Sequence, residues 1–205
     1  KELQQKIRHH IHIPKGYDII YGGQYENLER AGKQLLFTIP LTIALVFAFL
    51  YLLYRNFKDT FLTMSCILFA LGGGIIALLA RGYYFNVSAG VGFVSIFGIS
   101  VMAGVLIVSS LNRKFNNLST YALPLDQQRQ LITDTSKKQL RAVLTILVVA
   151  IIGLFPAATS SGIGSDVQRP LATVIIGGLT STLLFAPLLI PPLFWWVNRK
   201  KPKDN

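Results

Sequence analysis

Five long stretches of this chain are almost free of charge, and each is long enough to cross a bilayer as a helix. About 20 apolar residues suffice to span the hydrocarbon core. The blocks run over Gln34–Tyr54, Thr60–Ala80, Val87–Leu111, Ala142–Ser161 and Leu171–Val197. Inside hydrocarbon the backbone must satisfy its own hydrogen bonds, so blocks of this kind are helices rather than open strands. The expected fold class is therefore an all-α integral membrane bundle of five helices.

Charge is confined to the gaps between the blocks and to the two ends of the chain. Only 14% of residues are charged and 52% are hydrophobic, against about 25% charged in a soluble domain. The net charge of +11 is of the kind nucleic-acid binders carry. Here the cations flank apolar blocks, so no nucleic-acid partner is expected. Arg55, Lys58, Arg113, Lys114, Arg129, Lys137, Lys138, Arg141, Arg199, Lys200, Lys201 and Lys203 fall in the first turn, the long middle loop and the tail. The two other short loops hold Arg81 and Arg169. The positive-inside rule then makes the first group cytoplasmic. The C-terminus is inside, the segment before Gln34 is outside, and the partner solvent is lipid. Trp195 and Trp196, followed by the basic tail at 198–205, suit an interfacial anchor.

That orientation has a consequence for residues 1–33. They are polar and show no export signal, so earlier membrane spans are expected upstream. Residues 1–25 resemble the end of an outer soluble domain. A helix fits Glu2–Ile11, Pro14-Lys15-Gly16 is a turn, and Tyr17–Tyr21 is strand-like. From Glu26 a helix of mixed charge runs into the first span, so the bundle covers 26–197. Within the 112–141 loop, Leu125, Leu131, Ile132 and Leu140 suit a helix lying along the cytoplasmic membrane surface; a solvated loop is the alternative.

Small residues recur four apart: Ala70 and Gly74, Gly73 and Ala77, Ser100 and Gly104, Gly177 and Ser181, Gly178 and Thr182. Such pairs let membrane helices approach closely, which predicts a compact bundle rather than five separate anchors. Pro40, Pro156, Pro187, Pro191 and Pro192 interrupt the spans and read as static kinks before hinges. No ionisable residue lies well inside a span. Because a charge at mid-membrane costs at least ~2.5–3.5 kcal/mol and so marks function, these helices hold no complete proton relay of their own.

Three stretches carry a family resemblance. Val87–Ile99, with its glycines and Ser-Ile-Phe-Gly, resembles one membrane helix of the resistance-nodulation-cell-division (RND) efflux pumps. Gly162–Gly178, reading Gly-Ile-Gly-Ser-Asp-Val-Gln-Arg-Pro-Leu-Ala-Thr and onward, resembles their last outer loop and final helix. Pro14–Tyr17 with Gly22–Asn27 resembles the junction between porter domain and membrane. Together they resemble the heavy-metal-efflux branch, the cobalt-zinc-cadmium and copper-silver type. The resemblance implies an inner-membrane homotrimer with twelve spans per protomer. Such a pump exchanges protons for metal cations and works through a periplasmic adaptor and an outer-membrane channel. This chain would supply the last five spans, with a short α/β remnant of the porter domain at 1–25, and its partner would be the N-terminal half of the same pump. No cofactor is implied. Where relatives often carry a polar or acidic residue, this chain has Met102. An organic-compound pump of the same superfamily and a non-transporting scaffold or truncated product are the alternatives. An enzyme is not expected, since no nucleophile–base or metal motif is visible.

Candidate residues follow from both readings. Met102, with Gly98 and Gly104, is expected to face the other half of the pump and line the transport path. Pro170 suits a helix's first turn. The last helix is therefore expected to start near Val167–Arg169, with Ser165 or Asp166 as its cap and Asp166 and Arg169 at its outer mouth. His9, His10 and His12 invite metal binding, but no carboxylate or cysteine stands beside them, and an exposed helix end is the preferred reading. Cys66, the single cysteine, is read as a small lipid-phase residue.

Overall fold

The computed structural model describes residues 24–117 and 124–198. The described residues form five helices: α1 Gln24–Tyr54, α2 Phe57–Ala80, α3 Val87–Asn117, α4 Leu125–Thr159 and α5 Ser165–Asn198. All five are long and apolar enough to cross a membrane. Even the shortest, at 24 residues, extends about 36 Å at 1.5 Å per residue. The chain is an all-α multi-pass membrane bundle. The expected α/β remnant and the three histidines lie outside the described residues.

Each described turn has a local cause. Between α1 and α2, Arg55 takes a positive φ of 50°, and Asn56 caps α2 by accepting from the Lys58 amide at 3.1 Å. At the other end of α2, Gly82 adopts φ 66°. Its amide donates to the Leu79 carbonyl and that of Tyr83 to the Leu78 carbonyl. This paired closure needs a left-handed residue, and glycine takes it without a Cβ clash. Asn86 then caps α3, its Oδ1 accepting from the Ala89 amide at 2.8 Å.

The core is a slab made of α2, α3 and α5, with α4 packed on α5. Its fully buried members include Cys66, Ala70, Ile96, Val108, Leu147, Leu179 and Phe194. Gly73, Gly177, Gly178 and Ser181, members of these small-residue pairs, sit where α2 meets α5. A Cβ added to Gly73 would lie 2.5 Å from the Gly177 carbonyl oxygen, and one added to Gly177 would lie 2.7 Å from the Gly73 carbonyl oxygen. A Cβ added to Gly178 would lie 2.8 Å from the Ala70 carbonyl oxygen. Ser181 completes the seam by donating to the Phe69 carbonyl at 2.8 Å. In lipid, van der Waals contact and interhelical hydrogen bonds of this sort replace the hydrophobic effect as the attraction between helices. By contrast, α1 touches the slab through a small cluster around Leu50, Ile67, Phe97 and Val101.

Two sequence expectations change. No separate surface helix precedes the fourth span: α4 runs unbroken from Leu125 through Pro156 to Thr159. Leu131, Ile132 and Leu140, read as the apolar side of a surface helix, are the first turns of a long one; Ile132 is buried in the core. The last helix also begins earlier than expected, at Ser165. Gly164, at φ 88°, supplies the carbonyl that accepts from the Val167 and Gln168 amides. Ser165 and Asp166 therefore occupy the first turn instead of capping it. Pro170 falls in the second turn, where its missing N–H leaves the Asp166 carbonyl without its usual helical partner.

Candidate functional site

The helix that carries the candidate transport residues, α3, is sandwiched by α2 and α5 along most of its length. Phe93, Ile96, Phe97, Ser100, Ala103, Gly104 and Ile107 are buried. One strip stays open: Val91, Ser95, Gly98 and Met102 are all exposed. Their spacing of four, three and four keeps them on one face. Met102 is 52% exposed, and a Cβ added to Gly98 would meet nothing within 4 Å. The structure thus brings Met102 and Gly98 together.

Gly104 does not join them. A Cβ there would lie 2.9 Å from Cys66 Sγ and 3.0 Å from Thr63 Cγ2, so Gly104 faces α2 and allows close packing. The reason is rotational: two residues further along a helix turns the side chain by about 200°. Gly104 is a packing glycine, and its place among the path candidates is corrected accordingly. The strip itself is chemically plain. It offers a thioether, a hydroxyl already donating to the Val91 carbonyl (Ser95, 3.0 Å) and a notch at Gly98. No titratable group stands on it, so it is suited to sliding or packing against another helix and not to passing a proton.

Polar clasps close the slab at both ends. At the basic end, Asp59 lies in the first turn of α2 and is only 3% exposed. Its carboxylate accepts from Asn56 Nδ2 at 3.1 Å, Asn112 Nδ2 at 2.9 Å and Asn198 Nδ2 at 3.4 Å. Among the described residues it is held by amides rather than by a cation. Beside it, Thr63 donates to the Tyr54 hydroxyl at 3.2 Å or to the Asp59 carbonyl at 2.9 Å. The clasp ties the starts and ends of α2, α3 and α5. In the sequence Asp59 falls in the gap between the first two apolar blocks, where nothing singles it out. The available signal was the set of asparagines at helix ends of the same side.

At the opposite end two arginines hold the end of α4. Arg81 Nη1 donates to the Ala158 carbonyl at 2.8 Å and to Thr173 Oγ1 at 3.1 Å, with its guanidinium 5.6 Å from the Tyr83 ring. Arg169 Nε donates to the Ser160 carbonyl. Both cations meet carbonyls freed at a helix C-terminus, the favourable end for positive charge. Arg169 is thus a clamp on α4, and Asp166 is exposed in the α5 first turn. Among the described residues no group of three or more His, Cys, Asp or Glu is placed to hold a metal ion.

A family model described as the AcrB/AcrD/AcrF family matches residues 1–198. The chain belongs to that family. Within the AcrB/AcrD/AcrF family its similarity runs to proteins of metal resistance. It is 36% identical over 199 residues to the cobalt-zinc-cadmium resistance protein CzcA of Cupriavidus metallidurans, which covers 97% of this chain and 18% of the relative. To the cation efflux system protein CusA of Escherichia coli strain K12 it is 28% identical over 206 residues, covering 98% of this chain and 20% of the relative. A crystal structure of a heavy metal efflux pump superposes with a TM-score of 0.76 at 33% identity, over 96% of this chain and 19% of that one. The chain therefore spans about a fifth of the length of the relatives it matches. The RND resemblance read from Val87–Ile99 and Gly162–Gly178 agrees with these matches.

Proposed function

We propose that this chain is a membrane portion of a proton-driven exporter of heavy-metal cations, seated in a bacterial inner membrane. The observation that carries the reading is the end-to-end match to CzcA, at 36% identity over 97% of the chain. The solved heavy metal efflux pump of the same helical arrangement supports it. The chain acts in transport and not as an enzyme. Its working form is a homotrimer joined to a periplasmic adaptor and an outer-membrane channel. The basic end faces the cytoplasm and Arg81 and Arg169 face the periplasm, following the distribution of cations.

In this reading the clasped slab of α2, α3 and α5 moves as one body, and the open strip of α3 is the surface against which the other half of the pump works. The proton-carrying carboxylates belong to that other half, because Met102 cannot titrate. Expression of the full-length protein with its adaptor and channel in a metal-sensitive strain tests the proposal. Tolerance of cobalt, zinc or cadmium should rise and should collapse with a protonophore. Unchanged metal tolerance with new resistance to organic dyes would assign the chain to an organic-compound pump instead. Met102→Lys should impair export at normal protein level, because a charge in an apolar contact strip carries a penalty of at least ~2.5 kcal/mol. Undiminished export by that variant would remove Met102 from the working face.

A further inference from the structure

A groove at the basic end, between the first turns of α4 and the proline-bent end of α5, plays no part in the export reading. It holds about 400 Å³ and is lined by Arg129, Ile132, Thr133, Pro191, Pro192 and Trp195. Its walls are chemically divided. Ile132, the two proline rings and the indole form an apolar side. The rigid proline shelf cannot donate backbone hydrogen bonds, and Thr133 turns its hydroxyl back to the Arg129 carbonyl at 2.9 Å. Arg129 supplies the positive charge. Its guanidinium carbon lies 4.4 Å from the Trp195 ring centroid, within the range of a cation–π contact. The side chain is nevertheless exposed. Although Asp126 precedes it by one turn, no carboxylate among the described residues pairs with it.

Depth decides what such a groove meets. Trp195 and Trp196 sit one turn before the α5 terminus at Asn198, and tryptophans of that kind mark the headgroup level. At that level the abundant anion is a lipid phosphodiester with acyl chains attached. A cation fixed above an apolar cleft complements both parts, and arginine forks suit phosphate oxygens. Basic pockets between membrane helices are known to take anionic headgroups in this way.

We propose that the α4–α5 groove binds an anionic phospholipid, its phosphodiester on Arg129 and the start of an acyl chain along Ile132, Pro191, Pro192 and Trp195. The site stands independently of what the pump exports. Native mass spectrometry of the full-length protein in neutral detergent, titrated with dioleoylphosphatidylglycerol or dioleoylphosphatidylcholine, tests it. Phosphatidylglycerol should be retained about fivefold over phosphatidylcholine, the factor one near-surface cation contributes. Arg129→Gln should bring the ratio toward one, whereas Lys138→Gln, on the opposite face of α4 by helical geometry, should leave it unchanged. Thr133→Trp, which fills the groove and keeps the cation, should also lower retention, so the test survives if Arg129→Gln fails to fold. Equal retention of the two lipids, equal losses in the Arg129 and Lys138 variants, or unchanged retention in Thr133→Trp would overturn the site. Displacement of the lipid by excess inorganic phosphate would overturn it too, in favour of a soluble anion.

Discussion

Three amide side chains from three stretches of chain converge on the carboxylate of Asp59. A buried acceptor of this kind is costly to remove, because hydrogen bonds to a charged group are each worth about 1.5–3 kcal/mol and the orphaned donors keep their desolvation penalty. Asp59→Ala should therefore lower stability by roughly 2–4 kcal/mol, read as a fall in melting temperature in detergent. Asp59→Asn should recover only part of that loss, since its amide brings one acceptor oxygen in place of two. Melting temperatures equal to the parent in both variants would show that the clasp contributes nothing. This site was hard to read in the sequence. The chain order separates Asn112 and Asn198 from Asp59, and their convergence depends on which helix ends meet. A better reading of Met102, Gly98 and Gly104 was available: their spacing alone divides them between two faces.

Among the elements, the α2–α5 seam shows where lipid-phase packing leaves no room. Gly73→Ala would drive a methyl to 2.5 Å from the Gly177 carbonyl oxygen. Overpacking of this kind costs about 1–3 kcal/mol, and thermal melts should record it. Gly98→Ala meets open space and should leave the melting temperature unchanged; a fall in export without a fall in stability would mark the α3 strip as a working contact. At the start of α5, Asp166 sits inside the first turn, so its contribution is charge near the helix N-terminus, worth about 0.3–1 kcal/mol. Asp166→Asn and Asp166→Ala should then be equally mild, whereas an Asn variant clearly more stable than Ala would restore the capping role. The five spans and the small-residue seam were legible because hydrocarbon dictates both helix length and close approach. The early starts of α4 and α5 were not. Their first turns are polar, with Pro170 following in the second turn of α5, and hydropathy registers only the part of a helix that lipid surrounds.

For the whole molecule, orientation is the property most open to direct measurement. Cys66 is buried and is the single cysteine of these 205 residues, so Cys66→Ala, with any cysteine elsewhere in the full-length pump also replaced, provides a clean background. Ser161 and Lys58 are exposed at opposite ends. In intact spheroplasts an impermeant maleimide should label the Ser161→Cys variant and spare the Lys58→Cys variant; the reverse pattern would invert the proposed topology. Charge asymmetry is the sequence feature from which this orientation is proposed, whereas the loose attachment of α1 was not legible, since its apolar pattern matches that of the packed helices.

The seam that binds the bundle most tightly joins Phe69 to Ser181, 112 residues apart. During synthesis the glycine face of α2 thus enters the bilayer long before its mate leaves the ribosome. Until then it has only lipid or the insertion machinery for company. Nascent chains stalled before Leu171 should accordingly be prime targets for membrane proteases, and maturation of this bundle should be paced by the arrival of α5.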